Sequence, residues 1–211
     1  HLYRRRQRQM CIRDRGNTPD YIFKEKPSSF QKDKKYILPY SEWNKSRMKN
    51  VYPFFASIKE FRKSDNISDK INFIKLDFGR IKNTINQSFK SKVVFVLDVT
   101  KKSRHELIDS VKFFEEQSIT NPIVFKGDFD DEDFEKVAID VSIDIGSLFL
   151  EGMGNGIWIS SKKNKKKINE LSFLILQNTR TRIFKTDYIS CPSCGRTKFD
   201  LQKTTAMVKE N

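Results

Sequence analysis

Residues 93–99, Val-Val-Phe-Val-Leu-Asp-Val, are apolar at nearly every position. A strand with one wet face alternates apolar and polar residues. A run that is apolar on both parities is the habit of strands in parallel sheets, which helices cover on both sides. The residues that follow have the matching form. Ser103-Arg104-His105-Glu106 has capping-box spacing and opens a helix with Leu107, Ile108, Val111 and Phe114 on one face. Pro122-Ile123-Val124-Phe125-Lys126 reads as the next strand, and Phe134, Val137, Ala138, Val141 and Ile145 as the next helix. Ser147-Leu148-Phe149-Leu150 reads as a further short strand, and Ile168, Leu171, Leu174, Ile175 and Asn178 mark the last long helix of the series. Alternation of this kind means an α/β fold with a mostly parallel sheet and right-handed connections. Residues 93–99, 123–125 and 148–150 are therefore expected to be neighbouring parallel strands with helices outside.

Upstream the pattern is weaker. Residues 71–77 alternate as a strand, and Tyr36-Ile37-Leu38-Pro39-Tyr40 is a short extended piece. Residues 46–62 are ambiguous, because Pro53 interrupts them while Phe54, Phe55, Ile58 and Phe61 keep helical spacing. The chain has 211 residues and too few strand–helix units for an eight-fold barrel, which takes about 250. The expected fold class is α/β, a partial or degenerate (β/α) barrel-like domain over residues 16–182, with a different segment over 183–211. Residues 1–15 are set apart. They hold six Arg and one Asp, differ in composition from everything after them, and resemble translated adapter read-through. They are expected to be non-native or a disordered basic arm.

Charge bears on one question of function. The net charge of +14 suggests nucleic acid. Much of it comes from residues 1–15 and from the turn Lys162-Lys163-Asn164-Lys165-Lys166-Lys167, with no RNA-binding aromatic motif beside it. No nucleic-acid partner is expected; a basic face could instead steer an acidic protein partner. No apolar run approaches the ~20 residues of a membrane span, and no secretory leader is visible, so no membrane partner is expected. Three cysteines are too few for a disulfide scaffold and suit a reducing compartment.

Several residue clusters invite chemistry. His105 lies in a first helical turn and reads as solvated. Asp128, Asp130, Asp131, Glu132 and Asp133 lack EF-hand spacing and read as acids complementing a helix N-terminus. Gly152, Gly154 and Gly156 lack Rossmann or Walker spacing and read as a structural turn more than a phosphate cradle. Cys191-Pro192-Ser193-Cys194-Gly195 places two thiols on a short turn, with Pro192 and Gly195 shaping its backbone. The pair alone admits half a zinc site, a redox dithiol or half an iron–sulfur site. A zinc ribbon needs a second ligand pair, for which only Cys11, His1 and His105 are available at no recognised spacing. A thioredoxin-like protein places its pair near the start of the fold, not near the end.

The flanks narrow these choices. Ile189-Ser190-Cys191-Pro192-Ser193-Cys194-Gly195-Arg196-Thr197, followed by Phe199-Asp200-Leu201-Gln202, resembles the start of the iron–sulfur domain of 4-hydroxy-3-methylbut-2-enyl diphosphate synthases. The likeness runs from about residue 148 to 206 and is to the three-domain form of plants and some bacteria. It implies that residues 16–182 belong to the inserted barrel-like domain and residues 183–211 to the start of the cluster domain. It also implies a fragment without the catalytic barrel that binds substrate. Cys191 and Cys194 would be two ligands of a [4Fe–4S] cluster, with a third Cys and a Glu lying beyond Asn211. Ser193, Gly195 and Thr197 would donate hydrogen bonds near the sulfurs. Arg196 would face the anionic substrate or cluster, or pair with Asp200. The implied reaction is the reductive opening of 2-C-methyl-D-erythritol 2,4-cyclodiphosphate in isoprenoid biosynthesis, with flavodoxin or ferredoxin as donor, in a bacterial cytoplasm or plastid stroma.

Overall fold

The computed structural model describes residues 18–27, 29–46, 48–77, 81, 85, 89, 92–100, 102–162, 165–185 and 200–210. Seven strands form one sheet: β1 (Ile22–Phe23), β2 (Tyr36–Pro39), β3 (Val51–Phe55), β4 (Asn72–Leu76), β5 (Val93–Asp98), β6 (Ile123–Asp128) and β7 (Gly156–Ser160). They lie in sequence order and every neighbouring pair is parallel. The helices are α1 (Tyr40–Ser46), α2 (Ile58–Lys63), α3 (Arg104–Glu116), α4 (Phe134–Val141), α5 (Ser147–Leu150), α6 (Lys165–Asn178) and α7 (Leu201–Glu210), with a π-helical turn, Ser142–Gly146, joining α4 to α5. This is the expected α/β, partial barrel-like architecture.

Strand alternation divides the core in two. Outward-facing Phe55, Ile74, Leu76, Phe95, Leu97, Ile123 and Phe125 meet Leu107, Val111, Phe114, Val137, Val141, Ile145, Leu148, Ile168, Leu171 and Ile175 from the helices. Inward-facing Ile37, Tyr52, Phe73 and Val96 form a second cluster, joined by Tyr21, Phe23, Phe54, Val94, Val124 and Trp158. The sheet curls around this inner cluster. The Phe23 ring of β1 lies 4.9 Å from Trp158 of β7, and Phe54 lies 5.5 Å from the same indole. The first and last strands thus meet through side chains across the interior.

The strands at β5 and β6 pair in parallel as expected, but residues 147–150 are not a strand. They form α5, the end of a helical run that begins at Phe134. Val137, Val141, Ile145 and Leu148 follow one another at steps of four, four and three, so the helical stripe continues to the end of the segment, and all are buried. A four-residue apolar run has no period of its own, and the stripe before it decides its state. The run ends in a Schellman cap: Met153 N–H donates to Leu148 O and Gly152 N–H to Phe149 O, both at 3.0 Å. Gly152, with φ of 80°, supplies the left-handed residue this cap requires. The strand beside β6 is instead β7, just after the glycine turn. Phe54 and Phe55 also lie in a strand rather than a helix, with Ile58 and Phe61 in α2. Pro53 has no N–H for the ladder, and β3–β4 pairing begins immediately after it, at Phe54.

Candidate functional site

The C-terminal ends of barrel strands are where functional groups gather in β/α barrels. At that end of β4, β5 and β6 the inner face changes from apolar to charged. Two residues beyond Phe73, Val96 and Val124 stand Lys75, Asp98 and Lys126, with Asp128 one step further. Parallel register sets Asp98 beside Lys126. Lys75 Nζ lies 3.0 Å from Asp98 Oδ2, and Lys126 Nζ lies 3.9 Å from the same oxygen and 2.7 Å from Asp128 Oδ2. Thr100 joins the ring: its N–H donates to Asp98 Oδ1 at 3.1 Å, and its hydroxyl accepts from Asp128 N–H at 3.0 Å.

Burial alone would raise the Asp98 carboxyl. The hydrogen bonds from Thr100 and Lys75 and the charge of Lys126 outweigh it and hold the group below the ordinary carboxylate range. Two ammonium groups and two carboxylates neutralise one another here. The arrangement caps the inner core, and its lysines are committed to carboxylates rather than poised for a diphosphate. A depressed carboxyl stabilises the fold above its unfolded value near 3.9 and loses that contribution as pH falls through the folded value. Asp98→Asn is therefore expected to lower Tm at neutral pH, with the gap to the parent protein closing below about pH 4. A gap that stays constant from pH 7 to pH 2 would refute this account.

The other residues singled out in the sequence fall into structural roles. Asp133 caps α4, its Oδ1 accepting from Glu135 N–H at 2.9 Å. Asp131 pairs with Lys136 at 2.6 Å, and Asp130 accepts from Lys162 N–H at 3.2 Å. No group of three or more His, Cys, Asp or Glu is placed to hold a metal among the described residues. His105 is exposed in the first turn of α3, whose capping box is present in both directions. Gly154, with φ of 77°, lies under Phe125, whose ring would come within 2.4 Å of a Cβ there. Asn155 then locks onto β6: its N–H donates to Ile123 O at 2.7 Å and its Oδ1 accepts from Ile123 N–H at 2.9 Å. The glycine turn thus ends one helix and leads into β7, at the end of the barrel away from the charged ring.

Cys191, Cys194, Ser193, Gly195, Arg196 and Thr197 lie outside the described residues. The chain is last described at Lys185 and again from Asp200, which caps α7 by accepting from Lys203 N–H at 3.1 Å. The sequence signal for that role is an Asp directly before a helical segment. Among the described residues no helix is long and apolar enough to cross a membrane.

No family model matches the chain, and no solved structure matches it. Curated proteins do. It is 31% identical over 205 residues to 4-hydroxy-3-methylbut-2-en-1-yl diphosphate synthase (flavodoxin) of Parabacteroides distasonis, a match covering 91% of this chain and 32% of that protein. The protein of the same name from Phocaeicola vulgatus is 30% identical over 205 residues, 90% of this chain and 32% of the relative. That of Leptospira interrogans is 49% identical over 90 residues, 42% of this chain and 13% of the relative. The chain spans about a third of the length of the first two. The chain is thus a partial-length homologue of curated proteins named 4-hydroxy-3-methylbut-2-en-1-yl diphosphate synthase (flavodoxin).

Proposed function

We propose that this chain is part of an oxidoreductase that converts 2-C-methyl-D-erythritol 2,4-cyclodiphosphate to (E)-4-hydroxy-3-methylbut-2-enyl diphosphate, in a cytoplasm or plastid stroma. The observation that carries the proposal is the match over nine-tenths of the chain to relatives bearing that enzyme's name. The reaction consumes two electrons, breaks a ring C–O bond and releases a hydroxyl as water. Flavodoxin, the donor in the relatives' names, supplies the electrons, with ferredoxin as the alternative donor.

Within this scheme Cys191 and Cys194 bind a [4Fe–4S] cluster as thiolates, together with a third cysteine and a glutamate from beyond Asn211. The cluster, when bound, supplies electron transfer and Lewis acidity. Ser193, Gly195 and Thr197 donate hydrogen bonds towards the sulfurs, which sets how strongly they hold charge. Arg196 faces the anionic substrate or cluster. The alternative is a pair with Asp200, which the cap on α7 does not exclude because it uses Oδ1 alone. The barrel over residues 16–182 carries the cluster domain rather than the substrate, because its charged ring is self-neutralised. Substrate recognition belongs to the longer protein.

The test is anaerobic reconstitution with ferrous iron and sulfide, followed by metal and sulfide analysis. The longer protein should bind about four iron and four sulfide and turn over with reduced flavodoxin. The 211-residue chain should hold no stable cluster, because its Cys191–Cys194 pair offers two thiolates to four irons. Binding of zinc without sulfide by the longer protein would refute the assignment and favour the zinc-ribbon alternative.

A further inference from the structure

The segment between the barrel and the cysteines, residues 179–185, is basic and reads in sequence as a linker. In the structure it folds back along the end of α6. Arg180, with φ of 57°, breaks the helix in the left-handed region that glycine usually occupies there. The chain then reverses, and Arg182 N–H donates to Leu176 O at 3.0 Å. Gln177 makes the decisive contacts. Its side chain is only 1% exposed, yet both ends are satisfied by the returning backbone. Its Oε1 accepts from Phe184 N–H at 2.9 Å, and its Nε2 donates to Lys185 O at 3.0 Å. A buried amide that lost such partners would carry an unmet desolvation cost, so this contact is specific.

Outer contacts of two side chains, Phe184 and Arg182, clamp the same loop. Phe184 packs on Phe173 of α6 with ring centroids 5.1 Å apart. Arg182 stacks over Phe173 at 5.9 Å and reaches Asp20, just before β1, where its Nη2 lies 3.3 Å from Oδ1. The chain's exit is therefore tied at once to α6 and to the segment that enters the first strand.

We propose that Gln177 is a positioning residue: it sets the direction in which the chain leaves the barrel, at residues 182–185, towards Cys191 and Cys194. The proposal rests on the function proposed above for its consequence, but not for its geometry. Cys191 lies six positions after Lys185, at most about 22 Å of chain. An error in the exit direction is thus passed to the ligands over a short lever, and small misplacements of reacting groups cost rate steeply.

The experiment uses the longer protein and Gln177→Met, which keeps the length of the side chain and removes both hydrogen bonds. Amide hydrogen exchange at Phe184 should be slow in the parent protein and at least about tenfold faster in the variant, with α3 unchanged. Iron content should match the parent. With reduced flavodoxin, kcat should fall about tenfold while KM for the cyclodiphosphate stays within about twofold. Exchange at Phe184 as fast as in an unstructured peptide, in the parent, overturns the exit geometry. Faster exchange in the variant with kcat unchanged overturns the positioning role. Should Gln177→Met lose protection throughout α6, Gln177→Asn replaces it, keeping an amide but withdrawing it by one methylene from the backbone of Phe184 and Lys185. The same two readouts should move in the same direction by less, and no movement overturns the proposal. A parent protein with neither iron nor turnover would sink the proposed function, and the exchange data would still decide the exit geometry.

Discussion

Phe125→Ala is expected to destabilise the barrel by about 3–5 kcal/mol, read as a shift of the urea midpoint with an unchanged slope. Phe125 is 0% exposed, at the centre of β6, between β5 and β7. Its ring meets Phe149 edge-on at 5.7 Å and 68°, and covers the backbone of Gly154. Removing it opens a cavity that three elements line, and none of them can collapse freely because β6 is hydrogen-bonded on both sides. The Gly154 contact makes the argument testable by coupling. Gly154→Ala in the parent protein brings two costs, a left-handed residue with a Cβ, about 1–2 kcal/mol, and a clash with the ring. In a Phe125→Ala background the clash is gone and only the backbone cost remains, so the double mutant should be less damaged than the sum. A loss below about 1.5 kcal/mol for Phe125→Ala, or strict additivity with Gly154→Ala, would show that the ring does not fill this space.

What the sequence disclosed follows from how each signal is encoded. β5, β6 and α3 were legible because an apolar run and a capping box are local patterns. Residues 147–150 misled because a four-residue apolar run carries no period, and the stripe from Val137 to Leu148 had to be followed across a π-helical turn to see its type. β7 went unassigned because its five residues are neither fully apolar nor alternating, and its inner face is filled by Trp158. The charged ring was hidden for a different reason. Lys75, Asp98, Lys126 and Asp128 come from three strands, and only parallel register brings them together. The trace they left was a charge near the end of each strand, in Ile-Lys-Leu-Asp, Val-Leu-Asp-Val and Phe-Lys-Gly-Asp. Gln177 was less legible still. A glutamine at the end of an amphipathic helix reads as a solvated residue, whereas in the fold it is buried and bonded to the returning backbone of Phe184 and Lys185.

The cysteine pair reverses this relation, since its identity is read from local sequence while its geometry lies outside the described residues. In the longer protein, Cys191→Ser or Cys194→Ser is expected to lower turnover at least about a hundredfold and to remove the broad absorbance near roughly 400 nm that thiolate-ligated iron–sulfur clusters show. A serine hydroxyl is close in size to a thiol, so the fold should be kept and Tm should move little. It is a far weaker acid and a harder ligand than a thiolate, and it does not match the preference of iron–sulfur clusters for soft sulfur. Iron and sulfide should fall together, because a cluster missing one of its ligands is exposed to solvent and oxidation. Cys11→Ser is the internal control. It lies 180 positions before Cys191, in the arginine-rich segment set apart by its composition, and its loss should change neither iron content nor turnover. If Cys11→Ser removes metal together with Cys191→Ser and Cys194→Ser, the three thiols share one site and the zinc reading returns. If either motif cysteine can be replaced with full iron, full sulfide and full turnover, the ligands lie elsewhere, and the likeness around Cys191 and Cys194 is one of sequence without the chemistry.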